Sequence, residues 1–328
     1  MNCVRQHVAV FRMAASALTM LTLFILTAGA ALPLQAQTEA APAVVHNTWT
    51  SGTAMPVALQ YPMAGAIKTQ IYVVGGVTNT AVVADNQIYD PVANSWSTGA
   101  LIPMATEDGA VAVVKNILYI FGGSNDGSTV TNAVWAYNPK TNTWSSKAAM
   151  PTARQSAAAA VDKNIVYVIG GVVNGSRLNA VESYNPATNS WTEESPLLVG
   201  KSEVSVGLVG TTIVAAGGYT ASGDTGDNEG YDVTTNSWKA LATELTPTNA
   251  ACTGSISGQL YVGGGLGTSN TESFRVAKNR WTKQSPMPQG VISPGSAVYD
   301  KVLYCFGGSN TGVAFQGAVY DYLQIYQP

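Results

Sequence analysis

Ile165, Val166, Tyr167, Val168 and Ile169 form an unbroken apolar run that stops at Gly170-Gly171. A half-exposed strand alternates apolar and polar residues because successive side chains point to opposite faces. This run does not alternate, so it predicts a strand covered on both faces, as in a small sheet stacked between two others. The glycine pair ends it where a positive φ or a close backbone approach would penalise a Cβ. A further strand carries Tyr184-Asn185-Pro186, and Trp191 stands seven residues beyond Tyr184. Both rings are suited to filling the wedge between stacked sheets while their OH and NH groups find carbonyl partners.

The unit recurs. Glycine pairs begin at 75, 122, 170, 217, 264 and 307, and tryptophans stand at 49, 96, 144, 191, 238 and 281; both series step by 47, 48, 47, 47 and 43. Trp135 is the one tryptophan of seven outside the register. The order of aromatic strand, diglycine, Tyr-x-Pro and Trp resembles the kelch repeat, whose period is about 50. The resemblance implies an all-β, six-bladed kelch-type β-propeller. The segment Gly317 to Tyr322 matches the third strand of a blade, and the chain stops at Pro328 where the next Trp is due. His46-Asn47-Thr48-Trp49 matches Asn142 to Trp144 and Asn189 to Trp191. Residues 45–54 are therefore expected to supply the fourth strand of the last blade, which removes the open edges.

Residues 1–36 carry Arg5 and Arg12, no acidic residue, and an apolar stretch from Met13 to Leu34. This reads as a secretory signal peptide, with small residues at Ala36 or Ala30 for cleavage. A membrane anchor is the competing reading; Pro33 and the small residues favour cleavage. Residues 37–44 form an Ala/Pro/Glu linker and residues 45–328 the propeller. The expected setting is periplasmic or extracellular, with no membrane contact after cleavage. Loss of residues 1–36 takes the formal net charge from -3 to -5. An acidic, sparsely charged domain argues against nucleic-acid binding. Ser, Thr, Asn and Gly must dominate its surface, which leaves hydroxyls and amides for polar recognition.

Cys252 and Cys305 fall in strands that read as buried, on different strands of different blades, so the expectation is two buried free thiols in place of a disulfide. His46 is the one histidine beyond the signal. That excludes a histidine-based metal centre and argues against a Ser-His-Asp apparatus. It separates the chain from kelch copper radical oxidases and from the specifier proteins, whose motifs need histidine. Gly200-Lys201-Ser202 lacks the first glycine of a P-loop, and Gly263 to Gly267 lacks the last glycine of a dinucleotide fingerprint. Asp224, Asp227 and Glu229 do not have calcium-loop spacing. No cofactor and no metal are expected.

In kelch propellers, the segments leading into the inner strands and those after the diglycines share one face, around the channel mouth. Convergent polar groups there are the default site. Three residues per blade lead into the inner strand, and across blades they do not repeat as core positions do. They supply the candidate ligand-binding set Tyr61, Glu107, Asp108, Arg154, Gln155, Lys201, Glu203 and Asn249. Arg154 follows Met-Pro as in kelch domains that grip acidic ligands, and a guanidinium suits bidentate contact with carboxylates. The diglycine loops add Ser124-Asn125-Asp126, Asn174 and Arg177. The favoured function is an exported binding protein recognising a glycan or protein partner at the mouth. The alternative is a carbohydrate-active enzyme of the kind that mutarotates sialic acid, with Glu107, Asp108 or Glu203 as acid and base and Arg154 and Lys201 beside them. Fold alone does not choose between these.

Overall fold

The computed structural model describes residues 46–328. The segments expected to be signal peptide and linker, residues 1–44, and residue 45 of the expected closing strand lie outside the described residues. Among the described residues no helix is long and apolar enough to cross a membrane.

Six four-stranded antiparallel sheets follow one another along the chain. Blade 3 is representative: inner strand Ala158–Asp162, second strand Ile165–Ile169, third strand Val181–Asn185 and outer strand Ser190–Glu194. Val166 to Ile169 are all buried, as an apolar run without alternation requires. The sheet faces pack into separate clusters, one per interface; Phe121 and Val134 of blade 2, for example, meet Val166, Val168 and Tyr184 of blade 3. The core is thus spread around the ring between blades.

The aromatic register has a polar purpose as well. All six in-register tryptophans donate Nε1–H to a backbone carbonyl just beyond the outer strand of the preceding blade, as Trp191 does to Ala148 at 2.9 Å. Tyr184 donates its hydroxyl to Asn189 Oδ1 at 2.7 Å, and that asparagine holds a left-handed φ of 54°. Tyr89, Tyr137, Tyr231 and Tyr326 repeat the bond with Asn94, Asn142, Asn236 and Asn47.

Thr48–Ser51 closes blade 6, pairing Trp49 with Tyr326 and Thr50 with Ile325. The partner strand differs from the expected one. It is Leu323–Gln327, beyond the segment 317–322 that the sequence suggested. Gln324-Ile325-Tyr326 repeats Gln87-Ile88-Tyr89 of blade 1, and Tyr326 takes the place of Tyr184. The connection after the sixth diglycine is therefore the longest of the six and occupies 309–322.

The thiols are also not free. Cys252, on the inner strand of blade 5, is disulfide-bonded to Cys305, on the second strand of blade 6, with Cα atoms 5.7 Å apart. Different blades do not imply distant residues, because adjacent blades stack face to face and these two strands meet across the interface.

Candidate functional site

The three residues leading into each inner strand have distinct fates, because the third takes a left-handed φ that the first does not. The first position (Leu59, Thr106, Arg154, Lys201, Thr248, Val291) turns into the protein. Its carbonyl accepts the N–H of the second glycine of the preceding blade at 2.7–2.9 Å, in all six blades and across the closure. This explains the diglycine. Gly122 and Gly123 hold φ values of 66° and 97°, and a Cβ on Gly122 would collide with the Arg154 carbonyl.

The third position (Tyr61, Asp108, Ser156, Glu203, Ala250, Ser293) is left-handed in every blade, with φ between 48° and 58°. Each N–H donates to the carbonyl of the third position in the preceding blade at 2.8–3.1 Å, so six backbone hydrogen bonds close a collar around the channel. None of the six residues is β-branched, as that backbone region demands. Non-glycine residues held this way cost about 1–3 kcal/mol each and persist where the surroundings fix them, which is typical of ligand clamps.

All six collar side chains line a channel cavity of about 240 Å³. Tyr61, Asp108, Ser156 and Glu203 also border a mouth cavity of about 500 Å³, walled further by Glu107, Asp126, Gln155, Arg177 and Phe315. Phe315 reaches it on the long 309–322 connection, which is tied down where the Tyr61 hydroxyl donates to the Gly312 carbonyl at 2.7 Å and Gln60 Nε2 donates to the Thr311 carbonyl at 2.9 Å. Its ring faces Gly127 of the blade 2 loop.

The cavity is acidic. Glu107 is 3% exposed and its Oε2 has no hydrogen-bond partner among the described residues. Burial, with Asp126 adding to it, pushes its carboxyl up to about 7. Burial holds Asp108 well above the usual carboxylate range, against the opposing hydrogen bond from the Ser156 hydroxyl. Glu203 is raised by burial and pulled back by Arg177. Asp126 is held low by the N–H groups of Thr129 and Ser128. Arg177 is the one basic residue on the cavity wall; its guanidinium lies 4.6 Å from the Tyr219 ring centroid and donates to the Gly175 carbonyl at 2.7 Å.

The raised Glu107 has a consequence for stability. Its carboxyl moves from an ordinary 4.5 to about 7 on folding, so the folded state binds the proton more tightly. The contribution is fully present below about pH 4.5 and is lost as pH rises through about 7. Glu107→Gln is expected to flatten the fall in Tm between those two values. A melting series in which wild type and variant keep parallel slopes would contradict the assignment.

Five sequence candidates, Tyr61, Glu107, Asp108, Gln155 and Glu203, line the mouth cavity. Arg154 and Lys201 do not, and their proposed ligand contacts are corrected. Both side chains are fully buried, Arg154 Nη2 lying 2.8 Å from Glu182 Oε1 and Lys201 Nζ 2.9 Å from Glu229 Oε1. They occupy the first lead-in position, which faces inside the blade. Asn249 lines neither cavity and donates to Asp224. Sequence reasoning missed Phe315, because its segment was assigned to a strand and its neighbour; the Gln-Ile-Tyr repeat at 324–326 was the signal that would have freed it. Asp126 and Arg177, which the sequence added to the mouth from the diglycine loops, line the cavity as well.

The family described as the KLHDC2/KLHL20/DRC7 Kelch-repeats domain matches residues 43–149, 99–199 and 148–308. A comparison with curated proteins finds no match. Among solved structures, one described as "Structure of YjhT" superposes with a TM-score of 0.73 at 20% identity, covering 84% of this chain and 97% of that one. At that identity the likeness speaks to the fold alone.

Proposed function

The chain belongs to the kelch-repeat family, and on that premise we propose that it is an exported binding protein that takes a glycan in its mouth cavity. The observation that carries the reading is the cavity of about 500 Å³ where Glu107, Glu203, Gln155 and Tyr61 converge beside Phe315. That volume falls in the range of small-molecule sites. Carboxyls poised between protonated and ionised forms can both donate to and accept from sugar hydroxyls, and a partly exposed ring offers an apolar face to a pyranose. The walls carry four carboxyls, Glu107, Asp108, Asp126 and Glu203, against one guanidinium. This balance favours neutral or amino sugars over polyanionic ones.

Export is supported by the basic start and apolar run of residues 1–36 and by the Cys252–Cys305 disulfide, which suits an oxidising compartment. Recovery of mature protein beginning near Gln37 is the check, and intact Met1 on the secreted or cell-associated product would oppose it.

A second reading, sugar mutarotation, is favoured by one observation. Glu107 titrates at about 7, where a general acid-base group works best. In that reading Arg177, not Arg154, is the cation available to a substrate carboxylate. A glycan array followed by calorimetry on the hits separates the two, with NMR anomer exchange run on the same sugars. Saturable binding without faster exchange is the expected result. Glu203→Gln and Glu107→Gln are each expected to weaken it by roughly 10-fold, the cost of one charge-assisted hydrogen bond, with Tm unchanged or raised. No saturable glycan, or affinity untouched by both variants, would remove the proposal.

A further inference from the structure

The repeat serves as its own control at a second place, beneath the diglycines. In blade 3, Arg154 holds three acceptors together: Glu182 Oε1, the carbonyl of Gly170, which opens the diglycine, and the carbonyl of Ala180, which precedes the third strand. In blade 4, Lys201 approaches Glu229 Oε1 and the Asp227 carbonyl, the counterparts of two of these. Blade 5 keeps the acceptors and lacks the base. Glu272 stands at the position of Glu182 and Glu229, on the third strand Thr271–Arg275, while Thr248 stands where Arg154 and Lys201 do. The Thr248 hydroxyl donates to the Gly264 carbonyl at 3.2 Å, reproducing one bond of the guanidinium, and is too short to bring a charge to the carboxylate.

The orientation of Glu272 is preserved as well. Its Oε2 accepts the Leu245 N–H at 3.0 Å, as Glu229 Oε2 accepts the Leu198 N–H at 2.7 Å. The atom that meets a base in blades 3 and 4 is therefore Oε1. In blade 5 that atom has no hydrogen bond or ion pair among the described residues, and neither does Oε1 of the neighbouring Glu244. Both residues are more than nine-tenths buried. They border one small cavity of about 10 Å³ with Thr248, Gly264, Thr268 and Asn270, which is room for one water-sized particle. Lys201 is the base whose charge acts on Glu244, and it is already paired with Glu229.

We propose that blade 5 holds a buried Ca²⁺ between Glu244 and Glu272, in the place that the basic side chains of blades 3 and 4 fill covalently. Two carboxylates match a divalent charge. Of the other residues lining the cavity, Thr246, Thr248 and Thr268 carry hydroxyls and Gly264 and Asn270 carry carbonyls, oxygen donors of the kind Ca²⁺ prefers, and Val262 is the one apolar side chain. Mg²⁺ keeps much of its hydration shell and does not fit a single-particle cavity. No group of three or more His, Cys, Asp or Glu residues forms a metal cluster among the described residues, so this site rests on two carboxylates and neutral oxygens. It is separate from the mouth cavity and shares no residue with it.

The test uses the whole protein, freed of metal with EDTA and dialysed. Calorimetry with CaCl2 at fixed ionic strength is expected to give one site per chain. Melting at about 100-fold excess over the dissociation constant is expected to raise Tm by roughly 4 °C. Thr248→Lys supplies the missing base; it is expected to remove the Ca²⁺ response and to raise the Tm of the metal-free protein. Glu272→Gln, nearly isosteric, is expected to remove the response without Thr248→Lys's added bulk. A wild type indifferent to CaCl2, as when the two carboxylates share a proton instead, overturns the proposal. So does a response that survives both variants or that is lost in Glu107→Gln, which would place the ion at the mouth.

Discussion

Arg154→Ala is expected to destabilise the propeller by about 3–5 kcal/mol, the cost of leaving a buried charge without its partner. The guanidinium is fully buried, 2.8 Å from Glu182 Oε1, and donates to the carbonyls of Gly170 and Ala180 at 3.0 Å each. Truncation strands a carboxylate whose remaining contact is the Thr152 hydroxyl, removes the guanidinium bonds to the Gly170 and Ala180 carbonyls, of which Ala180 keeps the Gly170 N–H, and opens a cavity under the diglycine. The Tm should fall by roughly 5–8 °C. Replacing both partners, Arg154→Met with Glu182→Met, should recover most of the loss, since a packed apolar pair avoids the desolvation that the ion pair must offset. Lys201→Met should behave alike against Glu229. Differential scanning calorimetry on wild type, Arg154→Met, Glu182→Met and the double variant gives the cycle. A single variant melting within about 1 °C of wild type, with mouth binding lost, would return Arg154 to the rim.

The scaffold was readable because its causes are local and repeated. A pair of glycines forced by carbonyls of the next blade, and a tryptophan that bridges to the preceding one, must recur at every interface, so the period and the closure by Trp49 follow from spacing. The mouth was only partly readable. Three consecutive lead-in residues were treated as equivalent, although the third is left-handed in every blade and so turns away from the side the first one faces. Arg154, Lys201 and Thr248 belong to the inward set, while Asp108 and Glu203 turn to the channel because the left-handed collar directs them there. That collar leaves one trace in the sequence, the absence of β-branched residues at Tyr61, Asp108, Ser156, Glu203, Ala250 and Ser293, which is too weak a signal on its own. Phe315 was hidden by the length of its connection, whereas Asp126 and Arg177 were legible because they follow the diglycines directly. The same inward set carries the blade 5 contrast: Thr248 is unremarkable until Arg154 and Lys201 are seen to be partners of Glu182 and Glu229.

Removal of the Cys252–Cys305 bridge, by Cys252→Ala with Cys305→Val, is expected to cost about 4 kcal/mol. The cross-linked residues are 53 apart in sequence, and closing a loop of that length in the unfolded chain accounts for that figure in the chain-entropy picture. The bridge joins the inner strand of blade 5 to the second strand of blade 6. Blade 6 is the unit that Thr48–Ser51 completes, held by four residue pairs with Leu323–Gln327 and by the Trp49 indole on the Ser285 carbonyl at 2.9 Å. With the bridge in place, blade 6 stays attached to blade 5 even when the N-terminal strand detaches. Without it, release of that strand leaves blade 6 joined to blade 5 by residues 284–294 of the chain, by the backbone bonds of Ser293 to Ala250 and of Gly265 to Val291, and by packing, with no cross-link between the strands themselves. The loss should therefore appear in two measurements. The Tm should drop by roughly 8 °C, and amide exchange in Val302–Phe306 and Leu323–Gln327 should accelerate more than in blade 3, far from the bridge. Because both sulfurs are buried, reductant added to the folded protein should act slowly, and the double variant is the cleaner comparison. A variant that melts with the wild type and exchanges evenly around the ring would show that packing across the interface between blades 5 and 6 suffices without the covalent link.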